Sequence, residues 1–123
     1  MKLHLSNPSG IYTFTGYGEG YVMVNGQRHA RSLVVLRERI LTDWQPEAFE
    51  QLNAADFAQL AELQPEIVLL GTGTQLRFPR PELTQALHAA RIGLEVMDIR
   101  AVCRTYNILA AEERKVAAAL LFR

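Results

Sequence analysis

The amino-acid sequence predicts a single domain of the α/β class, on the evidence of its length and of a change of pattern near residue 50. The chain has 123 residues, which is close to the commonest size for one domain. Before residue 50, the sequence contains short runs that are typical of hairpin strands. After it, stretches with helical spacing alternate with short apolar runs, as in strands joined through helices. We therefore expect residues 1–123 to form one domain.

The first predicted element is a hairpin centred on the Asn-Gly pair at positions 25–26. This pair lies between "YVMV" and "QRHAR" and favours a type I′ turn, because both turn positions need positive φ. In that register Val24 faces Gln27 and Val22 faces His29, so both valines lie on one face. The runs "SLVVL" and "RILTDW" predict two more strands.

The first predicted helix begins after Asn53, whose side chain can cap it, with Asp56 at the third helical position. Leu52 and Phe57 have the spacing of a hydrophobic staple, and Pro65 ends the helical stretch.

Two strands and a second helix follow. The run "EIVLLG" is rich in branched residues and predicts a strand buried on both faces. "PELTQALHAARIG" predicts a helix from Pro81 to Gly93, and "LEVM" predicts the next strand. Strands joined through a helix should be parallel, with a right-handed crossover.

The last predicted helix follows Asp98, which can cap it. Its apolar face holds residues at helical spacing: Ile99, Val102, Cys103, Tyr106, Leu109 and Ala110. Arg100, Arg104 and Asn107 lie on a separate polar stripe. For the final run "VAAALLF", alanine propensity favours helix, whereas the uniformly apolar pattern favours a buried strand.

Composition argues against several functional classes. Thirteen basic residues balance thirteen acidic ones, so we expect no nucleic-acid binding. The longest apolar run, "VAAALLF", is too short to cross a bilayer, and we expect no transmembrane segment. A single cysteine and no secretory signal fit a cytoplasmic protein. The histidines His4, His29 and His88 have no metal-binding spacing, and we expect no metal and no cofactor.

Two strand-end features are candidates for a binding site. Gly71, Thr72, Gly73 and Thr74 follow a buried strand, where loops of open sheets meet ligands, although a tight structural turn explains the same glycines. Asp98 ends the neighbouring strand, and it serves either as a helix cap or as part of the same crevice.

Two residues of the polar stripe, Arg104 and Asn107, are further candidates for ligand or partner binding. Their structural alternative is a salt bridge or a sheet-edge hydrogen bond. Cys103 is predicted to be a buried, inert residue and Tyr106 a core residue whose hydroxyl reaches a partner at the rim. We assign no catalytic residue.

The order of several motifs resembles a family of small uncharacterised bacterial and archaeal domains related to a mitochondrial complex I assembly factor. The motifs that carry the resemblance are the glycine-rich hairpin "GYGEGYVMVNGQRHARSLVVL", Gly71-Thr-Gly73, Phe78-Pro79, Met97-Asp98 and Cys103-Arg-Thr-Tyr-Asn107. Ile99 and Glu113 stand where the family pattern leads one to expect threonine and glycine.

The resemblance implies a compact α/β domain with a mixed central sheet, helices packed on it, a hairpin-rich β layer, and the final apolar run as a strand. It also implies a non-catalytic accessory or assembly-type protein with a protein partner, as in respiratory-complex assembly. The alternative is a domain that binds a small molecule or anion, and could be an enzyme, in the crevice near Gly71, Thr72, Asp98 and Arg104.

Overall fold

The computed structural model describes residues 10–123, which contain eight strands and three α-helices. Seven of these strands and the three helices follow the predicted order, and the first strand, Phe14–Gly18, was not predicted separately. His4 and the start of the chain lie outside the described residues. The elements are β1 (Phe14–Gly18), β2 (Tyr21–Val24), β3 (Gln27–His29), β4 (Leu33–Leu36), β5 (Arg39–Leu41), α1 (Ala54–Glu62), β6 (Ile67–Thr72), α2 (Gln85–Ala89), β7 (Gly93–Met97), α3 (Ile99–Ala111) and β8 (Val116–Leu121). Short 3-10 turns occupy Phe49–Gln51 and Pro81–Thr84.

Strands β1, β2 and β3 form an antiparallel sheet, here called the hairpin sheet. Val24 pairs with Gln27 and Val22 with His29, as predicted. The turn residues have positive φ, 48° at Asn25 and 82° at Gly26, as a type I′ turn requires.

The central sheet has five strands in the order β5-β4-β8-β6-β7. Strand β8 is antiparallel to β4 and parallel to β6, and β6 is parallel to β7. The run "VAAALLF" is therefore a strand. Its residues have neighbouring strands on both sides, and the backbone pairing to these overrides the helix propensity of alanine. The predicted mixed sheet with an additional hairpin layer is confirmed.

The two faces of the central sheet bury two separate cores. In β8, Ala118 and Leu120 belong to the core shared with α3 and the hairpin sheet. Ala117 and Leu121 belong to the core shared with α1 and α2. This alternation follows from the two-residue period of a strand. No helix within residues 10–123 is both long enough and apolar enough to span a membrane.

The predicted start of α1 is confirmed by its hydrogen bonds. Asn53 Oδ1 accepts from the Asp56 N–H at 3.1 Å, and Asp56 Oδ2 accepts from the Asn53 N–H at 2.9 Å. Leu52 and Phe57, the predicted staple pair, are buried in the same core.

The second helix is shorter than predicted. Pro81 begins a 3-10 turn, and the α-helix itself ends at Ala89. Arg91, with φ of 60°, takes the left-handed position that ends the helix, and the Ile92 N–H donates to the Leu87 carbonyl. Gly93, expected to end this helix, instead begins β7.

Candidate functional site

The carboxyl ends of β8, β6 and β7 lie at the same end of the central sheet, because these three strands are parallel. The residues that follow them are Phe122, Gly73 and Asp98. The carboxyl ends of parallel strands are where open α/β sheets commonly form a crevice. Here a cavity of about 200 Å³ lies at this end of the sheet, and we call it the strand-end crevice.

The strand-end crevice is lined by the three strand ends, the start of α3 and the β1–β2 turn. Its residues are Gly18, Glu19, Gly20, Gly73, Thr74, Asp98, Ile99, Arg100 and Phe122. Three of the predicted site residues, Gly73, Thr74 and Asp98, therefore lie together. The lining contains two carboxylates and one guanidinium, so its formal charge is negative.

The loop after β6 is held by Thr72, which is fully buried. Its hydroxyl donates to the Gln75 carbonyl at 2.6 Å and accepts from the Arg77 N–H at 3.1 Å. Gly73 has φ of 86°, and a Cβ at that position would lie 3.3 Å from the backbone of Arg123. Thr72 and Gly73 thus fix the shape of the loop beside the crevice.

Gly71 lies in β6 and is not among the residues that line the strand-end crevice. A Cβ there would lie 2.9 Å from Leu120 Cδ2 and 3.0 Å from Ile99 Cδ1. Its glycine therefore lets the start of α3 pack closely on the central sheet.

Asp98 caps α3 as predicted, because its Oδ1 accepts from the Ala101 N–H at 2.9 Å. Although it caps the helix, Asp98 is exposed at the crevice. Arg100 lies two residues later, with its guanidinium 5.7 Å from the centre of the Tyr17 ring. A hydrogen bond with Tyr17 raises the pKa of Arg100. An arginine is charged at physiological pH even without this shift, so the crevice carries a permanent cation.

Arg104 and Asn107 lie outside the crevice, in a groove between α3 and β1 of about 180 Å³. Asn107 Oδ1 accepts from the Phe14 N–H at 2.9 Å, while its Nδ2 donates to the Phe14 carbonyl at 2.8 Å. This is the sheet-edge hydrogen bond considered above. Arg104 is exposed in the same groove.

The buried face of α3 carries two groups with raised pKa values. Burial raises the pKa of Cys103 to about 12, and the charge of Arg104 offsets part of that rise. Burial also raises the pKa of Tyr106, whose hydroxyl donates to the Tyr12 carbonyl at 2.8 Å. Tyr106 is thus the core residue with a rim partner that its position predicts. In the described part of the chain, no group of three or more His, Cys, Asp or Glu residues is placed to hold a metal ion.

The sequence interpretation missed an apolar surface on the loop between β6 and α2. Leu76 and Phe78 are 55% and 68% exposed. Arg77 between them is anchored, since its guanidinium donates to the Glu50 carboxylate at 2.9 Å and lies 4.6 Å from the Phe49 ring centre. The anchor leaves both apolar neighbours facing outward. The available signal was the segment "QLRFPRP", which places two large apolar residues, Leu76 and Phe78, in a loop that contains two prolines.

The arrangement defines a class: a mixed α/β domain with a hairpin sheet over one face and a crevice at the carboxyl ends of its parallel strands. A family described as proteins of unknown function (DUF498/DUF598) matches residues 14–121. The chain belongs to this family.

Named relatives agree with the resemblance found from the motifs. NADH dehydrogenase (ubiquinone) 1 alpha subcomplex assembly factor 3 of Bos taurus is 29% identical over 121 residues, which is 97% of this chain and 65% of the bovine protein. The chain thus spans slightly under two thirds of that relative. An uncharacterised protein of Rhodobacter capsulatus is 30% identical over 92% of this chain and 86% of its own length.

A solved structure confirms the fold. The crystal structure of a protein from Bordetella parapertussis has 38% identity and a TM-score of 0.85, and the match covers 91% of this chain and 96% of that one.

Proposed function

We propose that the protein is a non-catalytic accessory protein of the assembly-factor type, which binds a protein partner through the strand-end crevice and the adjoining loop. The observation that carries the proposal is the outward pair Leu76 and Phe78, on a loop anchored by Arg77. An exposed aromatic residue on a fixed loop can act as an interface anchor, because little side-chain entropy is lost when it is buried. The similarity to a complex I assembly factor over 97% of this chain supports the same class of function.

The predicted site residues take different parts in this proposal. Gly73, Thr74 and Asp98 line the crevice and contact the partner. Gly71 and Thr72 hold the loop in place from behind.

The polar stripe of α3 borders the contact surface. Arg104 lies at that border, and Asn107 holds β1 against the helix beneath it.

The charge of the crevice favours a protein segment over a small anion. Glu19 and Asp98 outnumber Arg100 in the lining, so an anion would meet net repulsion. The single cysteine, buried as a thiol, is consistent with action in the reducing cytoplasm of a bacterium.

The test is affinity capture from the native cells with quantitative mass spectrometry, comparing wild type with Phe78→Asp. The control is Ile108→Asp, because Ile108 is 59% exposed on α3 and lines none of the cavities described above. We expect a specific partner to be lost with Phe78→Asp and retained with Ile108→Asp. Equal capture by all three proteins would contradict this surface, and capture of no specific protein by wild type would contradict the proposed function.

A further inference from the structure

The two edges of the central sheet differ in a way that bears on partner binding. Natural sheets protect exposed edges with short strands, charged residues, proline or bulges. Strand β5, at one edge, has three residues and begins with the exposed Arg39. Strand β7, at the other edge, has five residues in unbroken register with β6, and none of the five is fully buried. Each edge strand has one charged residue, Arg39 in β5 and Glu95 in β7, so it is the greater length of β7 that makes it the less protected edge.

The backbone of β7 offers hydrogen-bonding groups at this edge. The Gly93 N–H donates to the Glu66 carbonyl at 3.0 Å. In a regular parallel ladder, the backbone N–H and C=O groups of every second residue bond to the same neighbouring strand. The backbone groups of residues 93, 95 and 97 therefore face β6. The N–H and C=O groups of Leu94 and Val96 consequently face the open edge.

The side chains of β7 indicate what an added strand should contain. Leu94 and Val96 pack against the core beneath α1 and α2, on one face of the sheet. Glu95 lies on the opposite face, is exposed, and forms no ion pair with the residues that the structure describes. A complementary strand would place apolar side chains beside Leu94 and Val96 and a cation beside Glu95.

We propose that the open edge of β7 is a strand-addition site for an extended segment of a partner protein, in which apolar residues alternate with lysine or arginine. A second copy of this chain fits less well, because antiparallel pairing of two β7 strands centred on Glu95 would set two carboxylates opposite each other. The inference rests on the proposed function in that the partner is a protein. It further specifies that the partner binds through backbone hydrogen bonds and that the bound segment has an alternating sequence pattern.

The experiment is an NMR titration of the purified, 15N-labelled protein with the blocked peptide TVKVT and with its counterpart TVEVT. We expect TVKVT to shift the amide signals of residues 93–97 and TVEVT to bind between about 2- and 30-fold more weakly, because one cross-strand charge pair changes from attraction to repulsion.

The backbone contribution is tested with Val96→Pro. This variant removes an outward N–H without removing a ladder bond to β6, and we expect it to weaken TVKVT binding by at least about fivefold.

The matched control is Ile40→Pro at the opposite edge. The two-residue turn between β4 and β5 makes Leu36 and Arg39 the hydrogen-bonded pair, so the Ile40 N–H also faces outward. Thermal unfolding verifies that both variants fold. We expect Ile40→Pro to bind TVKVT as wild type does.

Three results with the purified protein would overturn the inference. They are equal affinity for the two peptides, unchanged binding by a folded Val96→Pro variant, and a wild-type dimer in analytical ultracentrifugation that Val96→Pro dissociates. None of these measurements needs the native partner. A partner captured equally by wild type and Val96→Pro but lost with Phe78→Asp would contradict this inference and leave the proposed function standing.

Discussion

At the scale of single residues, one turn of α3 separates two arginines into different surfaces. Arg100 lines the strand-end crevice, whereas Arg104 lies in the groove against β1. The polar stripe predicted from spacing is present, but the hairpin sheet divides it. Spacing along a helix identifies which residues share a face, and only the packed neighbours determine which cavity each one meets.

Replacing each arginine by glutamine tests the border of the proposed surface. Both residues are exposed, so Arg100→Gln and Arg104→Gln should each change the free energy of unfolding by no more than about 0.5 kcal/mol. We expect both variants to capture less of the native partner, with the larger loss for Arg100→Gln. Thermal unfolding and quantitative capture measure the two effects. Undiminished capture by a folded Arg104→Gln variant would remove Arg104 from the functional surface.

Cys103 illustrates how burial controls chemistry at one residue. The folded state raises its thiol pKa from 9.0 to about 12, so the native protein should react slowly with a thiol reagent at pH 8 and rapidly in denaturant. The thiolate forms first in the unfolded chain, and stability linked to this group is therefore lost as pH rises above 9.0. Wild type should lose more thermal stability than Cys103→Ala between pH 8 and 10. Rapid labelling of the native protein would contradict the burial argument.

At the scale of elements, the three α-helices within residues 10–123 end without glycine at the left-handed position. The residues with positive φ there are Gln64 (58°) after α1, Arg91 (60°) after α2 and Glu113 (64°) after α3. Glycine is the residue that takes this conformation without steric cost. Position 113 is where the family pattern led us to expect glycine, and its backbone angle supplies the physical reason.

Glu113→Gly should therefore stabilise the protein. Relief of the left-handed conformation is worth about 1–2 kcal/mol, and the greater freedom of glycine in the unfolded chain offsets about half of it. We expect a net gain of about 0.5–1 kcal/mol in chemical denaturation.

Glu112→Gly is the control, because Glu112 is also exposed and has an ordinary φ of −86°. This variant should lose stability. A loss in both variants would show that strain at position 113 is not the controlling factor.

The predictable elements were those with local signals. The Asn25–Gly26 turn and the Asn53 and Asp98 caps depend on residues within a few positions of one another, and all three were correct. The short α2 was harder, because Arg91 rather than glycine takes the left-handed position that ends it. The exposed Phe78 was missed because nothing local to the sequence indicates that Arg77 binds Glu50.

At the scale of the whole molecule, α3 contacts both sheets. It packs on β6 and β8 of the central sheet and on β1 of the hairpin sheet, and buried side chains of the helix and both sheets belong to one core. Two side chains of the helix hydrogen-bond to the backbone around the start of the hairpin sheet: Asn107 to Phe14, and Tyr106 to Tyr12. These contacts join residues 93 or 94 positions apart in the chain, and for that reason no local pattern predicts them.

Asn107→Ala should loosen the hairpin sheet while leaving the central sheet intact. The substitution leaves the Phe14 N–H and carbonyl without their side-chain partner, and we expect a loss of about 1–3 kcal/mol in the free energy of unfolding. Hydrogen exchange should quicken at β1 and β2, because Asn107 bonds directly to β1 and β1 pairs with β2, whereas β6 and β8 remain protected by strands on both sides. The control is Ile108→Ala, because Ile108 is an exposed neighbour on the same helix. This variant should change neither the free energy of unfolding nor the rates of hydrogen exchange. Equal acceleration of exchange in both sheets would show that they open as one cooperative unit, and would contradict the role of Asn107 as the clamp between separately stable layers.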